Sequence, residues 1–230
     1  MNTAVNESPA GRVAIVTGGS RGVGRATIRR LAARSYAVVV NYLHDQRAAD
    51  SAVEAILKNN GNAVAVRADI ADDLDVKRLF AETIAAFGGI DVVVHAAGSC
   101  VTPSSVTEVD LDEFDALVRI NTRATFVVNR EAARHLRSGG AIINLSGPAE
   151  GSSLRAYGLY AATKAATDVL TRAFALELRE RNITVNAVSL EVRKPCAPNQ
   201  VADVIAYLLS EHGHGLTGQV FRVGDPGLRP

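Results

Sequence analysis

Seven short apolar runs recur along the chain, at 13–16, 37–40, 63–66, 92–94, 141–145, 184–188 and 219–223. They are apolar throughout rather than alternating, which is the pattern of strands covered on both faces. Between them lie longer stretches with helical spacing, at 22–35, 46–59, 74–87, 111–137, 157–180 and 199–210. Asp72, Asp73 and Asp110 are placed to cap helix N-termini, and Gly61, Gly88 and Gly139 stand where helices should stop. Strand and helix alternating through short loops predict parallel strands joined by right-handed crossovers. The expected architecture is α/β: a doubly wound, parallel, seven-stranded sheet of the Rossmann type. It forms a single domain over 12–230, after a flexible tail at 1–11.

Composition narrows the function more than the fold. The 230 residues carry a net charge of +1, with 21% charged and 47% hydrophobic positions. Nucleic-acid and membrane-surface partners need a strong basic excess, so neither is expected. No apolar run approaches the ~18 residues of a membrane span, and the first eleven residues lack a signal-peptide core. Cys100 and Cys196 lie far apart and form no CxxC or metal-ligand pattern, so no metal is expected. Cytoplasmic residence is the corresponding expectation.

The chemistry begins after the first run, at Thr17-Gly18-Gly19-Ser20-Arg21-Gly22-Val23-Gly24. A strand that turns here into a helix aims free N–H groups and the helix dipole at a pyrophosphate. Gly18 would allow the turn, Gly22 a close approach of phosphate, and Gly24 the packing of helix on sheet. Further along stand Asp69-Ile70, His95-Ala96-Ala97-Gly98, Asn121 and Tyr160-Ala161-Ala162-Thr163-Lys164. With the GxxxGxG spacing, these resemble the short-chain dehydrogenase/reductase family over nearly the whole chain. The likeness is to its ketoacyl-reductase-like, NADP type. His95 is a departure, since the family usually has Asn-Asn-Ala-Gly there.

The resemblance implies an NADP(H) cofactor held by Gly18, Ser20, Arg21, Gly22, Val23, Gly24, Asn41, Asp69, Ile70, Ala96, Gly98 and Lys164. Asp69 corresponds to the family's adenine-contacting acid. NAD-binding members end the second strand with an acid, whereas this strand ends Val40-Asn41-Tyr42. Arg21 matches a basic position that contacts the 2′-phosphate in NADP-dependent relatives, with His44 or Arg47 as helpers.

Tyr160 and Lys164 are one helical turn apart and share a face. The resemblance makes Tyr160 the acid-base group, Lys164 its activator and ribose anchor, and Asn121 the holder of a water that links Lys164 to solvent. A free phenol titrates near ~10 and needs such help at neutral pH. The family also has a Ser thirteen residues before the Tyr, at the end of the fifth strand. Counting back from Tyr160 or forward from Asn144 leads to Gly147. Ser146 is adjacent, but on an extended strand it should face the other way. The long segment that usually closes over substrate after the sixth strand is also missing: 189–195 lead almost directly to the last helix. The Asp225-Pro226-Gly227 end only loosely resembles the usual Asp-Gly-Gly.

Three functions remain open at this point. One is a stand-alone NADPH ketoreductase with a relaxed site. A second is a subunit acting beside a complete paralogous reductase in a hetero-oligomer. It would interconvert a β-hydroxyacyl and a β-ketoacyl thioester on a carrier protein. In this respect the chain resembles the shorter ketoreductase-like subunit of aminocoumarin antibiotic biosynthesis. The family's usual subunit interface would fall on 111–137 and 157–180, so an oligomer is expected. Arg181 and Arg137 align with or near arginines that touch an acidic carrier protein in the family, though solvated surface arginines are the simpler reading. The third is a non-catalytic NADP(H)-binding protein.

Overall fold

The computed structural model describes residues 11–100, 103–147, 156–190 and 196–224. The tail, the loop after β5, most of the segment after β6 and the C-terminal Asp225-Pro226-Gly227 therefore lie outside the described residues. Seven parallel strands form one sheet in the order β3-β2-β1-β4-β5-β6-β7. They are β1 Val13–Thr17, β2 Ala37–Tyr42, β3 Asn62–Arg67, β4 Ile90–His95, β5 Leu136–Ser146, β6 Thr184–Leu190 and β7 Val220–Val223. The helices are α1 Gly22–Ala32, α2 Gln46–Leu57, α3 Asp73–Phe87, α4 Leu111–Leu117, α5 Ala124–His135, α6 Gly158–Glu177 and α7 Pro198–Leu208.

The sheet carries a separate apolar core on each face. Val13 and Ile15 of β1 face Phe80 of α3, Val128 of α5 and Phe174 of α6. Their neighbours Ala14 and Val16 face Ile28 of α1, Ile56 of α2 and Ile205 of α7. All of these strand residues are fully buried, which is why the runs are apolar without alternating. Asp72 caps α3 by accepting from the N–H groups of Leu74 and Asp75, Asp110 caps α4, and Gly88 closes α3 in the left-handed region.

Three helix boundaries differ from the sequence expectation. The stretch 111–137 is not one regular helix: a π-helical turn, Val118–Arg123, separates α4 from α5. Such widened turns collect at functional sites, and this one contains Asn121. Gly139 does not end a helix either. Leu136 already pairs with Ile90, and Gly139, at φ +78°, lies in the irregular start of β5. Likewise the left-handed residue after α2 is Asn60 rather than Gly61.

Candidate active site

Chain order reverses direction across β1, which has β2 on one side and β4 on the other. A crevice opens at the carboxyl ends of the strands at such a switch point. Here it is a cavity of about 480 Å³. Gly18, Ser20, Arg21, Gly22, Val23 and Gly24 line it from the first turn, Asn41 from β2, and Ile70, Ala96 and Gly98 from the opposite wall. Gly22 sits at φ +52° with open space where a Cβ would be, while a Cβ on Gly24 would stand 2.2 Å from the Gly18 carbonyl oxygen. Gly22 thus leaves the backbone open on that side, and Gly24 lets α1 pack tightly against its own turn. No side chain caps the N-terminus of α1, so its first N–H groups face the crevice unclaimed by a cap.

The cradle fits a dinucleotide, and its ribose end fits a 2′-phosphate. Asn41 is buried and donates to the Ala68 carbonyl at 3.1 Å, so β2 offers no carboxylate there. Arg21 and His44 line the same end. The sequence reading overlooked Asp45, which also lines this wall. Its carboxylate accepts from Ala48 N–H at 2.9 Å as the cap of α2, a local pattern that could have revealed it. Asp69 does not line the cavity. Burial would raise its pKa, but the Arg119 guanidinium, 2.7 Å away, holds it below the usual carboxylate range. Arg119 belongs to the same π-helical turn as Asn121.

Tyr160 and Lys164 occupy the buried face of α6. Lys164 Nζ donates to the Leu145 carbonyl of β5 at 3.1 Å, and Leu145 in turn lines the cofactor cavity. Burial lowers Lys164 to about 8, against the opposing pull of Asp168 and Cys100. The Tyr160 phenol goes the other way. Burial pushes it well above its ordinary range, with nearby Cys100 adding to the rise. The expected lowering by Lys164 is not seen: the ammonium lies 5.8 Å from the ring centroid and is bonded elsewhere.

Asn121 bonds through both of its amide atoms. Its Oδ1 accepts from Ser99 N–H at 2.9 Å, and its Nδ2 donates to the Ser99 carbonyl and to Thr163 Oγ1. Its side chain clamps the loop after β4 to α6, one residue from Lys164. The water-holding role read from the sequence thus meets a side chain whose groups already have partners.

Gly147 lies where the sequence count placed it. A Cβ there would stand 2.7 Å from Tyr160 Oη and 2.9 Å from its Cε1. Ser146 does not substitute, because its hydroxyl turns to α6 and donates to the Lys164 carbonyl at 3.3 Å. β6 ends at Leu190 and α7 starts at Pro198, leaving 191–197 as the whole connection, of which 191–195 lie outside the described residues.

His95 is fully buried, its Nδ1 2.9 Å from Thr17 Oγ1. Burial, aided by the Lys164 charge, pushes it down to about 3. An unfolded histidine titrates near ~6.5. Between those values the unfolded chain binds a proton that the folded chain refuses, so stability is lost as pH falls below ~6.5. The slope is about 1.4 kcal/mol per pH unit from this residue alone. Denaturant unfolding at pH 7.5 and pH 5 should show that His95→Asn loses about 2 kcal/mol less than the wild type across that interval. Equal losses in both proteins would refute the assignment.

A dinucleotide cradle beside a Tyr-Lys pair on one helical face defines the class: an α/β oxidoreductase. Residues 12–195 match the family model described as short chain dehydrogenase. The chain belongs to the short-chain dehydrogenase/reductase family and is an oxidoreductase. It is 38% identical to versicolorin reductase 1 of Aspergillus parasiticus over 93% of this chain and 87% of that one. To the hydroxynaphthalene reductase-like protein Arp2 of Metarhizium majus it is 41% identical, over 79% of this chain and 68% of that one. A dehydrogenase/reductase from Sinorhizobium meliloti 1021 superposes with a TM-score of 0.88 at 34% identity, covering 94% of each chain. A blue fluorescent protein from a metagenomic library, solved with NADPH, gives a TM-score of 0.85 at 31% identity, over 93% of this chain and 96% of that one. Among the described residues no helix is long and apolar enough to cross a membrane, and no cluster of side chains could hold a metal.

Proposed function

We propose that the protein is an NADP(H)-dependent reductase of a ketone, or of the keto tautomer of a phenol, on a small ring system. The observation that carries this reading is Tyr160 and Lys164 on the buried face of α6, with Lys164 bonded to a residue of the cofactor cavity. The names of the relatives, reductases of versicolorin and hydroxynaphthalene, point to the substrate class. Bound NADPH would supply a hydride to the carbonyl carbon. Tyr160 would give its proton to the carbonyl oxygen, and Lys164 would hold the ribose and stabilise the phenolate left behind. Gly22 and the open N-terminus of α1 would receive the pyrophosphate, Arg21 and His44 the 2′-phosphate, and Ile70, Ala96 and Gly98 would floor the cradle. Steady-state assays following cofactor absorbance with hydroxynaphthalene-type ketones test it. No turnover with any ketone would overturn it.

Arg21 makes the cofactor choice separately testable. A guanidinium-phosphate pair is a charge-assisted bond of ~1.5–3 kcal/mol, roughly tenfold to a hundredfold in affinity. Arg21→Ala should therefore raise the Kd for NADPH at least tenfold while leaving that for NADH unchanged. Equal losses for both cofactors would remove Arg21 from the 2′-phosphate site.

A second reading, a subunit beside a complete reductase, is favoured by Gly147. The carrier-protein thioester expected with it has less support than the sequence suggested. Arg181 donates to the carbonyls of Ala133 and Leu136, and Arg137 to Gly88 and to Asp91, so both serve the fold. Native mass spectrometry of the complex isolated from its host separates the readings. A second, Ser-containing reductase in fixed stoichiometry supports the subunit, and this chain alone supports the stand-alone enzyme.

A further inference from the structure

A second cavity, of about 290 Å³, opens beside the carboxyl ends of β5 and β6 and along β7 from its amino end, and shares no lining residue with the cofactor cradle. Ser189 and Arg222, paired across β6 and β7, make one wall. Ser146, paired with Ser189 on β5, points to the same side of the sheet. α6 makes the other wall, with Asp168 and Arg172 one turn apart and Asp168 itself one turn beyond Lys164. Gly147, Gly218, Gln219 and Val220 complete the lining.

Asp168 is only 9% exposed, and its Oδ1 is buried with no hydrogen-bond partner. A buried carboxylate oxygen without a donor is costly and rare. Burial raises the pKa of Asp168, while Ser146 and the charges of Arg172, Lys164 and Arg222 oppose the rise. The surroundings of the cavity are thus cationic, while Asp168, which lines it, carries an acceptor without a donor.

We propose that this cavity is a second small-molecule site, and that it takes a hydroxycarboxylate. The ligand's carboxylate lies between Arg172 and Arg222, and its neighbouring hydroxyl donates to Asp168 Oδ1. Two guanidiniums against one carboxylate select an anion over a cation. The unpaired oxygen then selects, among anions, one that carries a donor beside its charge. The volume suits a small acid and excludes a dinucleotide. The site reaches Gly147, whose Cβ position abuts Tyr160 Oη. Its ligand is therefore either the polar end of the molecule being reduced or a separate small acid bound next to it.

Calorimetry on the full chain saturated with NADP⁺ tests the site without requiring turnover, so failure of the reductase reading would not hide the result. Malate and succinate are the probes, being dicarboxylates that differ by one hydroxyl. Malate should bind at millimolar concentration or below, and succinate about tenfold more weakly, because it leaves Asp168 unpaired. Arg172→Gln, at an exposed position, should weaken malate at least tenfold. Asp168→Ala should erase the preference for malate over succinate. Should that variant fail to fold, Arg172→Gln and the probe pair still decide the matter. Inhibition of ketone reduction by malate that is competitive with the ketone would identify the substrate's polar end. Non-competitive inhibition would identify a separate acid. Absence of malate binding, equal binding of succinate, or binding undiminished in Arg172→Gln would overturn the proposal.

Discussion

Tyr160→Phe is expected to lower kcat for ketone reduction by ~10²–10⁴ while leaving the Kd for NADPH within twofold. The substitution removes one oxygen from a side chain that is 8% exposed and leaves the ring packing in place. What it deletes is the proton source. Burial holds the Tyr160 phenol above its ordinary range, so it stays protonated through neutral pH, the form a carbonyl oxygen needs when reduced. Lys164, lowered to about 8, is still an ammonium at neutral pH. It is bonded to the Leu145 carbonyl and must leave that bond to reach the phenolate formed after transfer. Cofactor absorbance gives kcat, and nicotinamide fluorescence gives the Kd. A variant retaining more than a tenth of wild-type turnover would show that protons reach the substrate by another route.

The sheet was legible in the sequence because its signal is local and repeated. A strand buried on both faces must be apolar throughout, and seven such runs separated by helical spacing admit few topologies. The cofactor cradle was legible for a similar reason: its glycines lie within eight residues and answer to backbone constraints of one turn. The π-helical turn at Asn121 was not. The apolar positions run through it unbroken, and the extra residue is accommodated by packing against Lys164's helix and the Ser99 loop. The early start of β5 depends on Leu136 meeting Ile90, a contact between residues far apart in the chain. Asp168 was missed because nothing near it marks it. Its meaning comes from Ser189 and Arg222 arriving on other strands. Gly147 was the reverse case. Two counts, from Tyr160 and from Asn144, met at one position, and the structure places that position against the Tyr160 hydroxyl.

Gly147 is therefore where the largest gain of function is expected. In the family this residue is a Ser, whose hydroxyl would give the substrate oxygen a second hydrogen bond beside that of Tyr160. Losing a donor aimed at developing oxyanion charge costs ~10²–10³ in rate. Restoring one by Gly147→Ser should recover part of it, on the order of tenfold to a hundredfold in kcat/KM. The recovery is partial because the space is taken. A Cβ at 2.7 Å from Oη and 2.9 Å from Cε1 requires the end of the Tyr160 ring to give way by several tenths of an ångström. That movement is small for a ring hinged at its Cα, but it displaces the proton donor. Gly147→Ala separates the two effects, since its methyl group imposes the same displacement and returns no donor. It should leave kcat/KM at or below the wild-type value, with Gly147→Ser at least tenfold above Gly147→Ala. A Ser variant no faster than the Ala variant would mean that the missing donor does not limit the chain.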